Sequence, residues 1–366
     1  MKSRLIDIAN LAGVSKTTAS RALADSPLVR EETKERIRQI AKEHHFQPNA
    51  LAKAMATKRS GVMGFCMYKH GGTPYVGHTF FGPVIDGAIQ EAKEHDYHIM
   101  LASTSEENST FDEHFIQDSI DGVLLISFSP RDAILEFRRR RIPLVLINDT
   151  LPTPNNAFIV DDNYGGAYAI MNHLIRDRGH RRIALITDRL SHMSYYLRYL
   201  AYLDALHENG LPVYNNPAMR SNDIWGKYAP PDNERLLLCG HSQQPIEGTP
   251  IIIRGTFPAN AAQAMRQLIE TGDIPTAIFA TTDSIAFGVI KAIQEAGLRV
   301  PEDIAVAGYD DIEAAELFYP PLTTVRVNRH EIGRIAVCEL LAQIADPDLY
   351  SRIRTVKNEL IVRQST

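Results

Sequence analysis

Lys16, Thr17, Thr18, Ser20 and Arg21 bring five hydrogen-bonding side chains into six consecutive positions. Two cations and three hydroxyls on one helix suit the donors and acceptors of base edges and backbone phosphates. Flanking residues supply that helix. Ser15 offers a hydroxyl to cap its first turn, and Ala19, Ala22 and Leu23 form the side that turns inward. Upstream, Leu5, Ile8, Ala9 and Ala12 fall at i, i+3, i+4 and i+7, one apolar stripe of an earlier helix. Gly13 follows, where a helix stops most readily in the left-handed conformation. Two short helices joined by a glycine turn predict a helix-turn-helix, which lays its second helix in the DNA major groove. Thr33 to His45 reads as a third helix, with Ile37, Ile40 and Ala41 facing the first two. Phe46-Gln47-Pro48 ends it, because the residue before proline is pushed out of the α region.

Charge separates this segment from the rest. Residues 1–60 hold 12 Lys and Arg against 6 Asp and Glu; the remainder holds 27 against 38, within a chain of net charge −5. A basic head on an acidic body fits a small DNA module carried by a larger domain that does not meet phosphate. With 366 residues, 44% hydrophobic and 23% charged, the chain is long enough for two or three compact units of ordinary composition. No apolar run nears the roughly 18 residues of a membrane span. Met1-Lys2-Ser3-Arg4 runs straight into the amphipathic helix without a signal-peptide pattern, so a cytoplasmic protein is expected. Cys66, Cys239 and Cys338 are widely spaced and odd in number, which fits buried free thiols better than a zinc site or a disulfide framework.

From Val62 onward, short β-rich runs alternate with amphipathic segments. Strands are predicted at Val62–Met67, Tyr97–Ala102, Gly122–Ser127, Leu144–Ile147, Ile183–Thr187, Pro250–Ile253, Ala277–Ala280 and Ile304–Ala307. Helices are predicted near Pro83–His95, Arg131–Arg141, Tyr164–Arg178, Tyr195–Asn209, Ala259–Thr271, Ser284–Ala296 and Arg329–Ile344. Such alternation gives parallel sheets covered on both faces. The stretch is long for one sheet, so two doubly wound subdomains are expected, with ligand in the cleft beyond the strand C-termini. Between this body and the head, Asn49 to Ala56 is rich in helix formers but too short to hold a helix alone. Thr57 to Gly61 is a polar connector.

Catalytic motifs are missing from the sequence. It has no Gly-x-Ser-x-Gly elbow, no phosphate-binding Gly-x-x-x-x-Gly-Lys loop and no His-Glu-x-x-His. His44-His45 and the pair His95 and His98 lack carboxylate or cysteine partners at metal spacing. Neither catalysis, a cofactor nor a metal is expected.

Ordered runs recur along nearly the whole chain. They include Ile6-Asp7-Ile8-Ala9, Ala12-Gly13-Val14-Ser15, Ser20-Arg21, Phe46-Gln47-Pro48-Asn49, Ile142-Pro143-Leu144-Val145 and Gly179-His180-Arg181-Arg182-Ile183. Later come Ala280-Thr281-Thr282-Asp283, Gly308-Tyr309-Asp310-Asp311 and Pro320-Pro321-Leu322-Thr323-Thr324-Val325. Together they resemble the lactose/galactose repressor family of bacterial transcription regulators. The resemblance implies an α/β protein with an all-α helix-turn-helix headpiece and two doubly wound subdomains like those of periplasmic sugar-binding proteins. It implies a headpiece over 1–48, a hinge helix and linker over 49–61, and an effector and dimerisation domain over 62–366. One subdomain would combine about 62–161 with 297–322, the other 162–296 with 323–366.

The same resemblance assigns residues. Ser15, Lys16, Thr17, Thr18, Ser20 and Arg21 would contact operator DNA, and so would Asn49, Ala52 and Met55 of the hinge. Met55 stands where a minor-groove wedge is usually leucine, and methionine remains flexible and apolar. For a sugar effector, Phe81 and Phe257 would stack on the ring, and Asp161 and Asp283 would accept hydrogen bonds. Arg198 would donate a fork of them, with His192 and Ser194 one helical turn earlier. Asp283 could instead only cap the helix that follows it. Asp310 and Asp311 are expected to hold the loop after their strand rather than touch ligand. Leu211 to Gly248 is longer than the family's usual connection, and no heptad repeat follows Leu360. The implied partners are operator DNA, a small sugar-type effector and a second copy of the chain, with no membrane. The implied function is a repressor of carbohydrate-utilisation genes. A soluble sugar sensor without transcriptional work, and an enzyme on the same fold, are the rival readings.

Overall fold

The computed structural model describes residues 4–24, 26–46, 59–69, 79–105, 120–126, 131–148, 157–188, 190, 192–215, 219, 251–253, 257–346 and 352–366. The expected hinge contacts Asn49, Ala52 and Met55 lie outside these residues, as does Cys239. So does most of the long connection after Leu211. The chain divides into two compact units, residues 1–62 with 113–121, and residues 63–112 with 122–366.

In the first unit, α1 (Leu5–Leu11), α2 (Lys16–Leu23) and α3 (Glu31–Glu43) close on a small core of Ile8, Ala12, Ala22, Val29, Ile37 and Ala41. Asp7 accepts from the Arg4 backbone N–H at 2.8 Å and closes the first turn of α1. Gly13 takes φ +63°, the left-handed stop its position predicts. Ser15 caps α2, its Oγ accepting from the Thr18 N–H at 3.0 Å. Alanine at 19 and 22 lets these short helices approach closely, so a few apolar side chains suffice for a core. At the end of this unit the Asp121 carboxylate accepts from the backbone N–H groups of Ser60 and Gly61, at 2.7 and 2.9 Å.

The second unit contains two sheets. The strands of the first are β1 (Val62–Lys69), β2 (His98–Ser105), β3 (Gly122–Ile126), β4 (Leu144–Ile147), β5 (Ala157–Asp161) and β11 (Ile353–Val356). They lie in the order β11-β5-β4-β3-β1-β2, and the pairs from β11 through β1 are parallel. The strands of the second are β6 (Ile183–Thr187), β7 (Ile251–Ile252), β8 (Ala277–Ala280) and β9 (Ala305–Ala307), parallel in the order β7-β6-β8-β9. Runs such as Val-Leu-Leu-Ile are buried at every position, as a parallel sheet covered on both faces requires. β10 (Thr324–Arg326) and β12 (Glu359–Ile361) form a separate antiparallel pair.

The covering helices are α4 (Phe81–Glu94), α5 (Arg131–Arg139), α6 (Asn163–Asn172), α7 (Met193–Glu208), α8 (Pro258–Glu270), α9 (Asp283–Glu295), the short α10 (Ala314–Leu317) and α11 (Arg329–Ala345). A π-helical turn, His173–Asp177, ends α6. There the His173 ring meets Thr366 Oγ1 at 2.9 Å, which pins the last residue of the chain.

The sorting of segments into subdomains corrects the expected one. Residues 297–322 were expected with the first sheet, yet β9 pairs with β8 of the second. Residues 323–366 were expected with the second sheet, yet β11 pairs with β5 of the first. α11 also packs on α4, at a crossing that only glycine allows. A Cβ on Gly87 would sit 2.1 Å from His330 O, and one on Gly333 2.0 Å from Val84 O. The final residues then return, Ser365 Oγ donating to Val306 O at 2.6 Å. β5, β10, β11 and β12 were not anticipated. Three of them are three or four residues long, too short for a period-2 signal. β5 is the exception, a fully buried Ala-Phe-Ile-Val run that was legible.

Candidate functional site

Two surfaces carry chemistry, one in each unit. On the first, Lys16, Thr17 and Arg21 of α2 are exposed, while Ala19 and Ala22 of the same helix are buried. Thr18 and Ser20 are half-buried. The Thr18 hydroxyl already lies 2.8 Å from Ser15 Oγ, so both hydroxyls belong to the cap. Among the described residues, the Lys16 and Arg21 side chains have no hydrogen-bond or ion-pair partner. A face of two uncommitted cations and a threonine offers donors and acceptors of the kind that base edges and phosphates take.

The second surface is buried and centres on Arg198 of α7. Its Nε donates to Asn163 Oδ1 at 2.8 Å, and one terminal nitrogen donates to the Thr281 carbonyl. The guanidinium lies 3.6 Å from Asp310 and 3.8 Å from Asp161, and its carbon sits 3.5 Å above the Tyr309 ring. Arg198 is 3% exposed, so these contacts meet almost no screening by water. Two amide side chains tie down the Asp161 carboxylate and the Tyr309 hydroxyl. Asn358 Nδ2 donates to Asp161 at 2.9 Å and to Tyr309 Oη at 2.7 Å, and Asn163 Nδ2 donates to Asp161 at 3.0 Å. Burial pushes the Asp310 carboxyl up to about 7, although the Arg198 charge opposes it. Asp310 also holds φ +115°, a conformation L-residues rarely adopt. Backbone strain and a carboxyl raised by burial meet on this one residue.

Family models match the chain almost end to end. Residues 4–49 match the bacterial regulatory proteins of the lacI family. Residues 66–227 match the periplasmic binding proteins and sugar binding domain of the LacI family, and 171–366 a periplasmic binding protein-like domain. The HTH-type transcriptional repressor CytR of Escherichia coli K12 is 30% identical, over 98% of this chain and 95% of the relative. The repressor PurR of Vibrio atlanticus is 28% identical, over 98% and 97%. The chain belongs to the LacI family of bacterial regulatory proteins. A Lac repressor dimer bound to operator and the anti-inducer ONPF shares the fold, with TM-score 0.74 and 23% identity over 100% of this chain and 99% of that one.

Within this LacI-family frame, the expected effector residues separate. Asp161 and Arg198 stand together. Asp283 is buried and does not cap the helix it opens. Its two oxygens are taken by Thr324 Oγ1 at 2.5 Å and by the Ile312 N–H at 2.8 Å. Thr282, not Asp283, caps α9. Burial first, then the Asp310 charge, raise the Asp283 carboxyl well above its ordinary range. Asp283 therefore holds the loop that presents Asp310. Asp310, expected to hold that loop, is the carboxylate that faces Arg198. Its neighbour Asp311 does behave as a holder, taking Arg326 at 2.7 Å and Arg363 at 2.8 Å.

His192 and Ser194 are buried at the start of α7, where the His192 ring caps the helix by accepting from the Ser194 N–H at 3.2 Å. The expected aromatic walls differ from one another. Phe81 is packed in the core, edge-on to Phe80 at 5.3 Å, because it opens α4 on its inward side. Phe257 is 43% exposed ahead of α8. Asn163, Tyr309 and Asn358 were missed. Tyr309 stood in a quoted motif, whereas Asn358 lies in a short turn with no pattern to read.

Cys66 is buried and its thiol is pushed up by that burial. Cys338 is only partly buried, its thiol donating to Glu91 at 3.1 Å. Among the described residues no cluster of His, Cys, Asp and Glu could hold a metal ion, and no helix is long and apolar enough to cross a membrane.

Proposed function

We propose that this chain is a cytoplasmic, dimeric transcriptional repressor whose affinity for operator DNA is set by a small sugar-type effector. The carrying observation is the buried guanidinium of Arg198 between two carboxylates and over an aromatic ring, in the segment that matches a sugar binding domain. Such a group offers several donors and acceptors at fixed positions, as vicinal hydroxyls require. Residues 1–48 would read the operator through Lys16, Thr17 and Arg21. Residues 49–61, with Asn49, Ala52 and Met55, would form the hinge. Effector at Arg198, Asp161 and Asp310 would change the relation of the two sheets, and operator affinity would follow.

Dimerisation draws support from Leu317 and Tyr319, 85% and 81% exposed beside one another. Tyr319→Asp should then sediment as a monomer and lose operator affinity. The repressor reading is tested by gel shift with DNA upstream of the gene, with and without a panel of sugars. Specific retardation that a sugar alters supports it. Sugar binding without any specific retardation would favour the soluble sensor, and turnover of the sugar would favour an enzyme.

A further inference from the structure

A cavity of about 450 Å³ is walled by Arg326, Arg329, His330 and Lys357, with Asp311 and Glu359, the sequence neighbours of Asp310 and Asn358 in the Arg198 cluster. That is within the usual range for a small-molecule site. Its charges do not cancel. Arg326 is taken by Asp311 at 2.7 Å and Glu359 at 3.6 Å, and Asp311 is shared with Arg363. Arg329 donates instead to two backbone carbonyls, Thr79 O at 2.9 Å and Asp311 O at 3.0 Å. These bonds fix its position without neutralising its charge, and they leave three of its five donors unused. Lys357 is exposed and, among the described residues, has no carboxylate partner.

Backbone connections join this cavity to the cluster. Asp310 bridges Arg326, and its N–H donates to Val325 O at 2.9 Å. Lys357 and Glu359 flank Asn358, which bonds both Asp161 and Tyr309. The Arg329 charge also acts on the Asp310 carboxyl. A neutral polyol needs none of these cations, whereas an oxyanion does, and a pinned guanidinium with free donors matches the planar geometry of a carboxylate or a face of a phosphate.

We propose that this cavity holds the anionic group of the effector, so that the ligand is an acidic sugar, a sugar carboxylate or a sugar phosphate. The inference rests on the reading of the Arg198 cluster as an effector site. Calorimetry on the full chain with glucose, glucuronate and glucose 6-phosphate, and their galactose counterparts, tests it. At least one acidic sugar should bind tenfold or more tightly than its neutral counterpart, with affinity falling as salt rises. Whether the carboxylates or the phosphates bind identifies the anion. Lys357→Ala should weaken that binding about tenfold or more with an unchanged melting temperature, and Lys357→Arg should restore it. Neutral sugars binding as tightly as acidic ones, with Lys357→Ala silent, would overturn the anion site and leave the effector reading intact. Acid binding that Lys357→Ala weakens but Arg198→Ala spares would keep the anion site and sink the clamp. If none of these compounds binds, the anion site is rejected.

Discussion

The two surfaces handle their polar groups in opposite ways. On α2, Lys16, Thr17 and Arg21 stand in water on a helix held by Ala19, Ala22 and the Ser15 cap. Removing one changes what the helix can bind and almost nothing that holds it. Around Arg198 the polar groups are buried or half-buried and mostly answered by one another: Asp161 by Asn358 and Asn163, Tyr309 by Asn358, Arg198 by the Thr281 carbonyl, while Asn358 Oδ1 has no hydrogen-bond partner among the described residues. Removing one strands its partners out of water, so function and stability are lost together. A DNA-reading helix needs to present a pattern. A buried charge network must keep its members paired away from water.

The largest effect should come from Arg198→Ala. It leaves Asp161 and Asp310 buried without their cation, at a cost of about 3–5 kcal/mol. Calorimetric melting should show the loss in the transition of the larger unit. Retention of wild-type melting would mean the cluster is more hydrated than its burial indicates.

Next, Arg21→Ala should weaken specific operator binding by about 1–3 kcal/mol and leave melting within about 0.5 kcal/mol of wild type. Equal loss on operator and random DNA, read by anisotropy, would reduce Arg21 to a phosphate contact.

Asp310→Asn sharpens the contrast through pH. The folded carboxyl titrates near 7 and the unfolded one near 3.9. The folded state therefore holds the extra proton, and the contribution present at low pH is lost as pH rises from about 4 through about 7. One proton sets a maximal slope of about 1.4 kcal/mol per pH unit. The variant should lose that slope, matching wild type near pH 3 and gaining on it by pH 8 in denaturant titrations. Parallel pH profiles would mean that Asp310 is ionised throughout.

The smallest effect, about 1 kcal/mol, belongs to Ser15→Ala, which removes the α2 cap. It should lower headpiece melting while effector affinity stays unchanged. A larger drop in operator affinity than in stability would give Ser15 a DNA contact of its own.

The sequence by itself determined what rests on near neighbours. The apolar stripe of α1, Gly13 at φ +63°, the Ser15 cap and the exposed cations of α2 all lie within 17 residues. The alternation of buried strands with amphipathic helices likewise announced parallel sheets, since each run was buried along its length. Tertiary structure decided what depends on distant segments meeting. β9 and β11 joined sheets opposite to those expected, because a short strand carries no mark of its partner and a helix crossing at Gly87 and Gly333 settles which face α11 covers. The different partners of Asp283 and Asp310 have the same origin. Both are aspartates after a strand, and only the positions of Thr324, the Ile312 N–H and Arg198 show which carboxylate is spent on the fold and which faces the guanidinium.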